Sequence, residues 1–499
     1  MKKCILFLAV LSLLFLVACG GSTSFNPGTG SSGFSNASFS GTYVFTMSGQ
    51  CFSACSTTGI VQSAGTLVAD GKGNISSGFW DLNIGGQYHG SPLSLTGTYT
   101  VNADGTASVM LNNTLATNAF VIMLSGPEGG SIVSNDGAWA LAGKVAIQSS
   151  AAIAAQPNAA YVYRVGGLDA SFSSWAFVGV MDFNSRAVTA DSNQNGSINL
   201  LQTGTLIPVT YDATSGRGTV TLAPSGTNSI PTQNYVYYVV DANTLELVST
   251  DASLGFQGRA ELSSGAVGAP LTGSFAFLAA GFPVTGTIQV TEGGIFTGDG
   301  AGGITSGVID TVFDNSGNTG ASLTATGSVT AAQGVTRDVL TLTPGSTLSM
   351  TSAVLWMTSA NRGFFLTLNT DRAETGTINV QSGAPFTDSA TFSSYQSGFA
   401  ITTGGAQGLA YATLFKNSSG TISGYTQTIN LFGTAGSNTG NGSLSFDSTG
   451  TIGSLTLNNT LQNGTEDIRF YQYSSSDAFM MQADQGIISS GQMRIQTAQ

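Results

Sequence analysis

Acidic residues beside glycine-rich turns are the side chains of this sequence whose type and spacing could bind a metal ion. The phrase at 297–310 (TGDGAGGITSGVID) recurs at 69–81 (ADGKGNISSGFWD), and carboxylates near tight turns are ligands that Ca²⁺ accepts. Five aspartates belong to this group: Asp70, Asp81, Asp299, Asp310 and Asp314. However, Asp before Gly is also what a β-turn requires, and the matching turn at 416–420 (KNSSG) has a lysine and no carboxylate. We therefore predict turn chemistry, with no shared metal and no cofactor.

The single histidine, His89, could take part in catalysis only with help from other residues. Asp81 precedes it and Ser91 follows it. A hydrolase triad typically presents its serine on a Gly-x-Ser-x-Gly turn between a strand and a helix, and no such turn is evident. The glycines at 298–303 precede a predicted strand, so they offer no helix N-terminus to a phosphate. We predict that the protein is not an enzyme.

The glycine-rich turns recur because the chain consists of four related segments. Each segment closes with an apolar strand, an aspartate, and then a glycine that opens one more strand. The aspartates are Asp136, Asp251, Asp371 and Asp484, and the glycines are Gly143, Gly258, Gly376 and Gly491. Successive aspartates are 115, 120 and 113 residues apart, and this regularity indicates tandem domains.

Apolar and polar residues alternate within each segment, as at 338–343 (DVLTLT), and helical periodicity is almost absent after residue 18. The third segment divides into about eight strands, near 272–279, 283–291, 304–313, 321–331, 335–343, 352–358, 364–370 and 375–381. Such a meander can close into an up-and-down barrel. The strand at 95–99 (LTGTY) and the turn at 104–106 (DGT) resemble the pattern of avidin- and lipocalin-type barrels. We predict an all-β protein of four tandem barrels, with a β-sandwich as the alternative.

The first 20 residues resemble the export signal of bacterial lipoproteins. Two lysines precede an apolar run at 5–18, which is too short to span a bilayer comfortably, and the run ends in Leu16-Val17-Ala18-Cys19. This ending is similar to the lipobox of that family. The resemblance implies that Cys19 carries a diacylglyceryl group and becomes the mature N-terminus. Because Gly20 stands where lipoproteins retained in the inner membrane usually carry Asp, it also implies the outer membrane.

The predicted domain organisation follows from the signal and the repeats. It comprises a signal peptide (1–18), a lipidated flexible tether (19–36), repeat 1 (37–148), a linker (149–170), repeat 2 (171–264), repeat 3 (270–382) and repeat 4 (390–499). Cys51 and Cys55 lie in the first loop of repeat 1. Because an exported chain meets oxidising conditions, we predict that these two cysteines form a local disulfide rather than part of a metal site.

The composition limits the classes of partner. Charged residues make up only 8% of the chain and its net charge is −12, so there are too few cations to bind nucleic acid or to form a polybasic membrane patch. We predict a non-enzymatic envelope lipoprotein whose modules form an extended surface array. Its role would be structural, adhesive or binding, toward an extracellular polymer or protein.

The alternative function is a carrier that holds a small apolar or saccharide ligand inside its barrels. Aromatic rings could line such cavities. The four tryptophans are Trp80, Trp139, Trp175 and Trp356. Rings of this kind more often fill a core, and these lie at different places in their repeats, so the sequence favours packing over a shared pocket.

Overall fold

Four closed antiparallel β-barrels follow one another along the chain, which confirms the predicted fold class and decides for barrels over a sandwich. The structure is a computed structural model. It describes residues 33–497 except 54–58, 266–270, 286–287, 314–315, 384–385, 387–388, 403–404, 449, 461–463 and 483–485. In this part of the chain, no helix is long and apolar enough to cross a membrane, and two short 3-10 helices cover Asn36–Ser38 and Ala152–Ala154.

Barrel 1 contains eight strands that close the sheet and two short strands attached to it. The strands are β1 (Ser40–Cys51), β2 (Gly59–Asp70), β3 (Asn74–Ile84), β4 (Gln87–Tyr88), β5 (Leu93–Ser94), β6 (Thr96–Val101), β7 (Thr106–Asn112), β8 (Thr117–Gly126), β9 (Gly129–Ser134) and β10 (Trp139–Ile147). β1 pairs with both β2 and β10, and β2 pairs with β3, so the sheet is continuous around the barrel. β4 and β5 pair with β3 alone.

Barrels 2, 3 and 4 are eight-stranded meanders in which the last strand pairs with the first. Barrel 2 comprises β11 (Ala160–Asp169), β12 (Ser174–Asp182), β13 (Ala187–Gln194), β14 (Ser197–Asp212), β15 (Arg217–Pro224), β16 (Gln233–Asp241), β17 (Thr244–Ser249) and β18 (Leu254–Leu262). Barrel 3 comprises β19 (Thr272–Pro283), β20 (Val290–Asp299), β21 (Ile304–Phe313), β22 (Ser316–Ala332), β23 (Val335–Pro344), β24 (Ser352–Ser359), β25 (Arg362–Thr367) and β26 (Arg372–Val380). Barrel 4 comprises β27 (Ser389–Thr402), β28 (Gly405–Ser418), β29 (Thr421–Leu431), β30 (Thr434–Phe446), β31 (Ile452–Thr460), β32 (Gly464–Gln472), β33 (Asp477–Gln482) and β34 (Ile487–Ile495).

Four elements lie differently from the sequence-based expectation. β11 lies within the stretch 149–170 that we expected to be a linker, yet it pairs with both β12 and β18 and closes barrel 2. The aromatic run at 172–177, which we used to place the start of repeat 2, leads into the second strand of the barrel. Phe34 is buried in the core of barrel 1, so the barrel begins before the expected end of the tether at 36. In barrel 3 the second strand is β20, at 290–299, rather than 283–291.

Each barrel encloses its own apolar core. In barrel 1, Trp80 and Trp139 lie inside with their ring centroids 5.9 Å apart, and Phe45 and Phe120 pack edge-on against Trp80. Aromatic and aliphatic side chains fill the cores of barrels 2, 3 and 4 in the same way. Burial of each large side chain contributes roughly 1.5–3 kcal/mol, so each barrel has the core that an independent domain needs.

The four barrels pack side by side in a closed ring, and this contradicts the expected extended array. A separate cluster of buried apolar residues joins barrels 1 and 2, barrels 2 and 3, barrels 3 and 4, and barrels 4 and 1. β12 shows how the sequence makes this possible. Phe177 and Met181 point into the core of barrel 2, whereas Ala176, Val178 and Val180 pack against barrel 3, so both faces of the strand are buried.

Candidate functional site

The aspartates of the two glycine-rich hairpins act as turn residues. One carboxylate oxygen of Asp299 accepts hydrogen bonds from the N–H groups of Ala301 (2.7 Å) and Gly303 (2.8 Å), and these bonds lower the pKa of Asp299. Asp70 accepts in the same way from Lys72 (2.7 Å) and Asn74 (2.9 Å). The predicted turn chemistry is therefore present at both hairpins, and Gly302 has the positive φ of 101° that the tight turn requires.

Asp81 and Asp310, the other aspartates of the repeated phrase, lie elsewhere and are fully buried between barrels. Among the described residues, no group of three or more acidic, histidine or cysteine side chains could hold a metal ion. Asp314 lies outside the described residues. His89 and Ser91 are exposed after β4, whereas Asp81 is enclosed in an ion pair, so the three do not form a triad.

Three junctions of the ring contain a buried ion pair with the same design. Asp191 on β13 of barrel 2 accepts hydrogen bonds from Arg337 of barrel 3 at 2.7 and 2.9 Å, and from the indole N–H of Trp356 at 2.7 Å. Asp81 meets Arg217 and Tyr238 of barrel 2, and Asp310 meets Arg469 and Tyr471 of barrel 4. In each case, the aspartate is on the third long strand of one barrel and the arginine is on the next barrel.

The tryptophans therefore have packing and junction roles rather than a common pocket. Trp80 and Trp139 fill barrel 1, Trp175 is half-buried at the edge of the core of barrel 2, and Trp356 joins barrels 2 and 3. The interior of barrel 3 has a cavity of about 20 Å³ lined by apolar side chains, which is too small for an organic ligand. The interior of barrel 3 therefore has no room for the ligand that the alternative prediction placed inside the barrels.

Cys51 is fully buried at the end of β1. Its predicted disulfide partner Cys55 and the predicted lipidation site Cys19 both lie outside the described residues, as does the signal peptide. The disulfide, the lipid and the signal peptide stay predictions.

A polar channel runs along the centre of the ring, and the closing glycines of the repeats determine its position. Each of these glycines lies on the last strand of its barrel and pairs with the first strand. A Cβ atom on Gly143, Gly258 or Gly491 would lie 1.8 Å from a carbonyl oxygen of the first strand. Glycine is therefore required for the close approach of the first and last strands of each barrel. We call this contact between the first and last strands the seam, and the seams of all four barrels face the ring centre.

Residues beside the seams form layers to which every barrel contributes one side chain. The residues directly after the closing glycines are Lys144, Arg259, Thr377 and Gln492. The facing layer on the first strands consists of Thr46, Arg164, Leu278 and Tyr395. Both layers line the channel. The four-fold arrangement of the seams thus makes one shared site from positions that are 114 to 118 residues apart in the sequence.

The channel narrows from an outer vestibule to an inner segment that ends in apolar side chains. The vestibule has a volume of about 700 Å³, and the two successive parts of the inner channel measure about 240 and 140 Å³. At the narrow end, one side chain from each barrel joins an apolar cluster. These residues are Ile60, Leu168, Phe282 and Phe399.

Charged side chains are concentrated in the channel, although the sequence contains few. Lys144 lies 2.9 Å from Glu246, which also contacts Arg259, and Arg259 and Arg362 share Glu261 at 2.8 and 2.5 Å. Burial lowers the pKa of Lys144 to about 8, with the neighbouring Arg259 acting in the same direction. The pairs link barrels 1, 2 and 3 across the channel.

These channel residues were not among the predicted site residues, because the positions after the closing glycines have the pattern of ordinary strand positions. One signal could have found them. Glycine is followed by Lys144 in the first copy and by Arg259 in the second, in a chain with only 14 basic residues. Because the seam repeats in every barrel, equivalent positions in a closed ring must face a common axis.

Comparisons with known proteins give neither a family nor a function. No family model matches the chain, and no curated protein matches it. Solved structures that resemble it include intact Ap-TbpB with its N and C lobes, at 7% identity and a TM-score of 0.21, covering 74% of this chain and 85% of the other. A mutant of transferrin binding protein B from Haemophilus parasuis Hp5 matches at 10% identity and a TM-score of 0.21, covering 74% of this chain and 83% of the other. Such a weak likeness supports no conclusion about this protein.

Proposed function

We propose that the protein is a non-enzymatic, lipid-anchored component of the cell envelope that binds a small polar ligand in the central channel of its ring. The channel is the observation that carries this proposal. All four barrels contribute to it, whereas the barrel interiors are packed. The vestibule volume of about 700 Å³ lies within the usual range for small-molecule sites.

The lining of the channel fits a ligand that is rich in oxygen atoms. Amide and hydroxyl groups dominate the inner part, and the Tyr395 ring adds an apolar surface beside them. Such groups can donate to and accept from hydroxyl and carboxyl oxygens. The lipobox and the tether position the ring at the membrane, and the resemblance to outer-membrane lipoproteins supports the envelope as its location.

A channel-filling variant tests this proposal. Ala280 lines the inner channel, so Ala280→Trp should fill it, whereas Val209→Trp places the same ring on the exposed outer side of β14. Thermal shifts of the full-length protein in detergent would be measured with glucose, galactose, glucuronate and galacturonate. We expect at least one sugar to raise the melting temperature of the parent and of Val209→Trp but not of Ala280→Trp. Shifts that persist in Ala280→Trp, or no shift with any sugar, would contradict channel binding of this class of ligand.

A second candidate function is the binding of a partner protein or polymer on the outer surface. β14 exposes four large apolar side chains on the side of barrel 2, namely Leu200, Leu201, Ile207 and Val209. Exposed apolar residues that lie together mark interaction surfaces. Replacing Ile207 and Val209 with Ser should then reduce adhesion of whole cells to extracellular matrix, whereas Ala280→Trp should leave adhesion unchanged.

A further inference from the structure

We propose that the inner channel binds a small oxyanion, a carboxylate, phosphate or sulfate group, at the guanidinium of Arg164. This inference rests on the proposed binding role of the channel and names the chemical class of its ligand.

Arg164 is half-buried and lacks the carboxylate partner that three other arginines at the junctions between barrels have. Arg217, Arg337 and Arg469 each form an ion pair with a buried aspartate. In the described part of the chain, no carboxylate forms an ion pair with Arg164, and its Nε has no hydrogen-bond partner. Its one hydrogen bond to protein runs from Nη1 to the Thr375 hydroxyl and is long, at 3.4 Å. A buried donor without a partner is costly, so this guanidinium is prepared for a ligand that accepts hydrogen bonds.

The orientation of Arg164 leaves its polar edge available. The guanidinium carbon lies 5.6 Å from the centre of the Phe364 ring, so one face of the group rests on an aromatic surface. This contact stabilises the guanidinium without using its N–H groups. The N–H groups along the edge of a guanidinium form a planar fork, which can donate hydrogen bonds to two oxygens of a carboxylate, phosphate or sulfate at once.

Hydroxyl groups next to Arg164 provide further donors. Thr375 accepts from the guanidinium and keeps its own hydrogen. The hydroxyls of Ser48 in barrel 1 and Ser397 in barrel 4 lie 3.2 Å apart, and this contact uses only one of their two hydrogens. Barrels 1, 3 and 4 therefore contribute hydroxyl groups to one polar layer beside Arg164, and two of these three hydroxyls keep a hydrogen that they could donate to an oxyanion.

The charge balance of the inner channel also favours an anion. Four cations, Lys144, Arg164, Arg259 and Arg362, line it against one carboxylate, Glu246, with Glu261 behind them. This positive excess occurs in a protein whose net charge is −12. The narrow part, of about 140 Å³, has room for a group of a few heavy atoms, and its apolar end keeps the surroundings low in dielectric. Attraction between opposite charges is stronger there than at the surface.

Titration of the full-length lipoprotein in detergent tests the inference. Sulfate, phosphate and glucuronate would be compared with glucose at constant ionic strength, by calorimetry and by thermal shift. Arg164→Gln removes the charge, and the matched control is Arg186→Gln, which removes a charge from an exposed turn of barrel 2. We expect at least one anion to bind the parent and Arg186→Gln equally, and Arg164→Gln to weaken this binding about tenfold or more. Arg164→Lys, which keeps the charge but loses the fork, should give an intermediate affinity.

Stability separates a binding role for Arg164 from a structural one. Because its charge is half-buried without a carboxylate, Arg164→Gln should leave the melting temperature of the ligand-free protein unchanged or raise it. A lowered melting temperature, equal anion binding in Arg164→Gln and the parent, or no binding of any of the three anions would overturn the inference. If glucose binds and is excluded by Ala280→Trp while no anion binds, the anion inference fails and the proposed function stands. If anions bind at Arg164, both are supported.

Discussion

Two residues, Asp191 and Arg337, form the ion pair between barrels 2 and 3. Loss of one of them should change the stability of the protein very differently from loss of both. In Arg337→Met, the Asp191 carboxylate would keep its hydrogen bonds from Trp356 (2.7 Å) and from the Leu201 N–H (2.8 Å) but lose both from the guanidinium. Asp191 is 0% exposed, so water cannot replace what is lost. Removing one member of a buried pair costs about 3–5 kcal/mol, and we expect Arg337→Met to lose this much stability.

The double variant Arg337→Met with Asp191→Leu should recover part of this loss, although the N–H groups of Trp356 and Leu201 lose their acceptor. Replacing a buried ion pair by apolar residues is often neutral or stabilising, because neither charge then has to be desolvated. Equilibrium unfolding in urea, followed by circular dichroism, gives the free energy of each variant. The cycle should yield a coupling energy of about 2–4 kcal/mol between the two residues.

Arg494→Met supplies the control for these measurements. Arg494 pairs with Asp477 at 2.5 Å but its side chain is 50% exposed, so its loss should cost about 0–1 kcal/mol. If Arg337→Met costs no more than Arg494→Met, or if the double variant is less stable than Arg337→Met, the account of the junction as a buried charge pair is wrong.

Three further changes test the seam, the buried acids and the anchor. Gly491→Ala would place a Cβ atom 1.8 Å from the carbonyl oxygen of Tyr395, so it should lower stability by about 1–3 kcal/mol, whereas Gly33→Ala, with open space around it, should change the melting temperature little. Burial raises the pKa of Asp338 to about 7, so the folded protein keeps this proton while the unfolded chain loses it above about pH 4. Stability from this group is present below pH 4 and lost by about pH 7. We therefore expect Asp338→Asn to unfold at a higher urea concentration than the parent at pH 8, and this difference in midpoint should be smaller at pH 4. Cys19→Ala should release the protein from membranes under high-salt and carbonate washing, and a variant that stays bound would contradict the lipid anchor.

The sequence revealed the barrels because their local signals are strong. Alternating strands, short turns and a glycine after each closing aspartate recur at nearly constant spacing, and each of these features acts within one barrel. β11 was missed for a local reason. The aromatic run at 172–177 resembles the first strand of repeat 1. Because of this likeness, the start of repeat 2 was predicted at residue 171, after the strand that begins at Ala160. The turn aspartates were predicted correctly at Asp70 and Asp299, because an Asp–Gly pair determines its own hydrogen bonds.

The ring could not be predicted from repetition alone, because a repeat period does not say whether modules pack together or extend. β12 and β16 contained a relevant signal, since their residues are apolar at nearly every position rather than at alternate ones. A strand of a free-standing barrel needs only its inward residues to be apolar, so a continuous apolar strand predicts a covered outer face. Asp81 and Asp310 were grouped with the turn aspartates by sequence, and only the structure shows that barrels 2 and 4 supply their arginines.

The ion pairs also account for the order of the barrels around the ring. An aspartate on the third long strand of barrels 1, 2 and 3 meets an arginine of the next barrel. Thr428 occupies the corresponding position on β29 of barrel 4, and barrel 1 contains no arginine in its described part. Any other order of neighbours would bury at least one aspartate without its arginine, at a cost of several kcal/mol. At these positions barrels 4 and 1 have no charged side chain that would be left unpaired. They can therefore meet through a surface of apolar and serine side chains. The hydroxyls of Ser131 and Ser393 lie 3.2 Å apart in this junction. We infer that the buried pairs specify which barrels are neighbours, and that the first and last barrels close the ring because their junction requires no buried ion pair; the pair between Arg494 and Glu128 there is exposed.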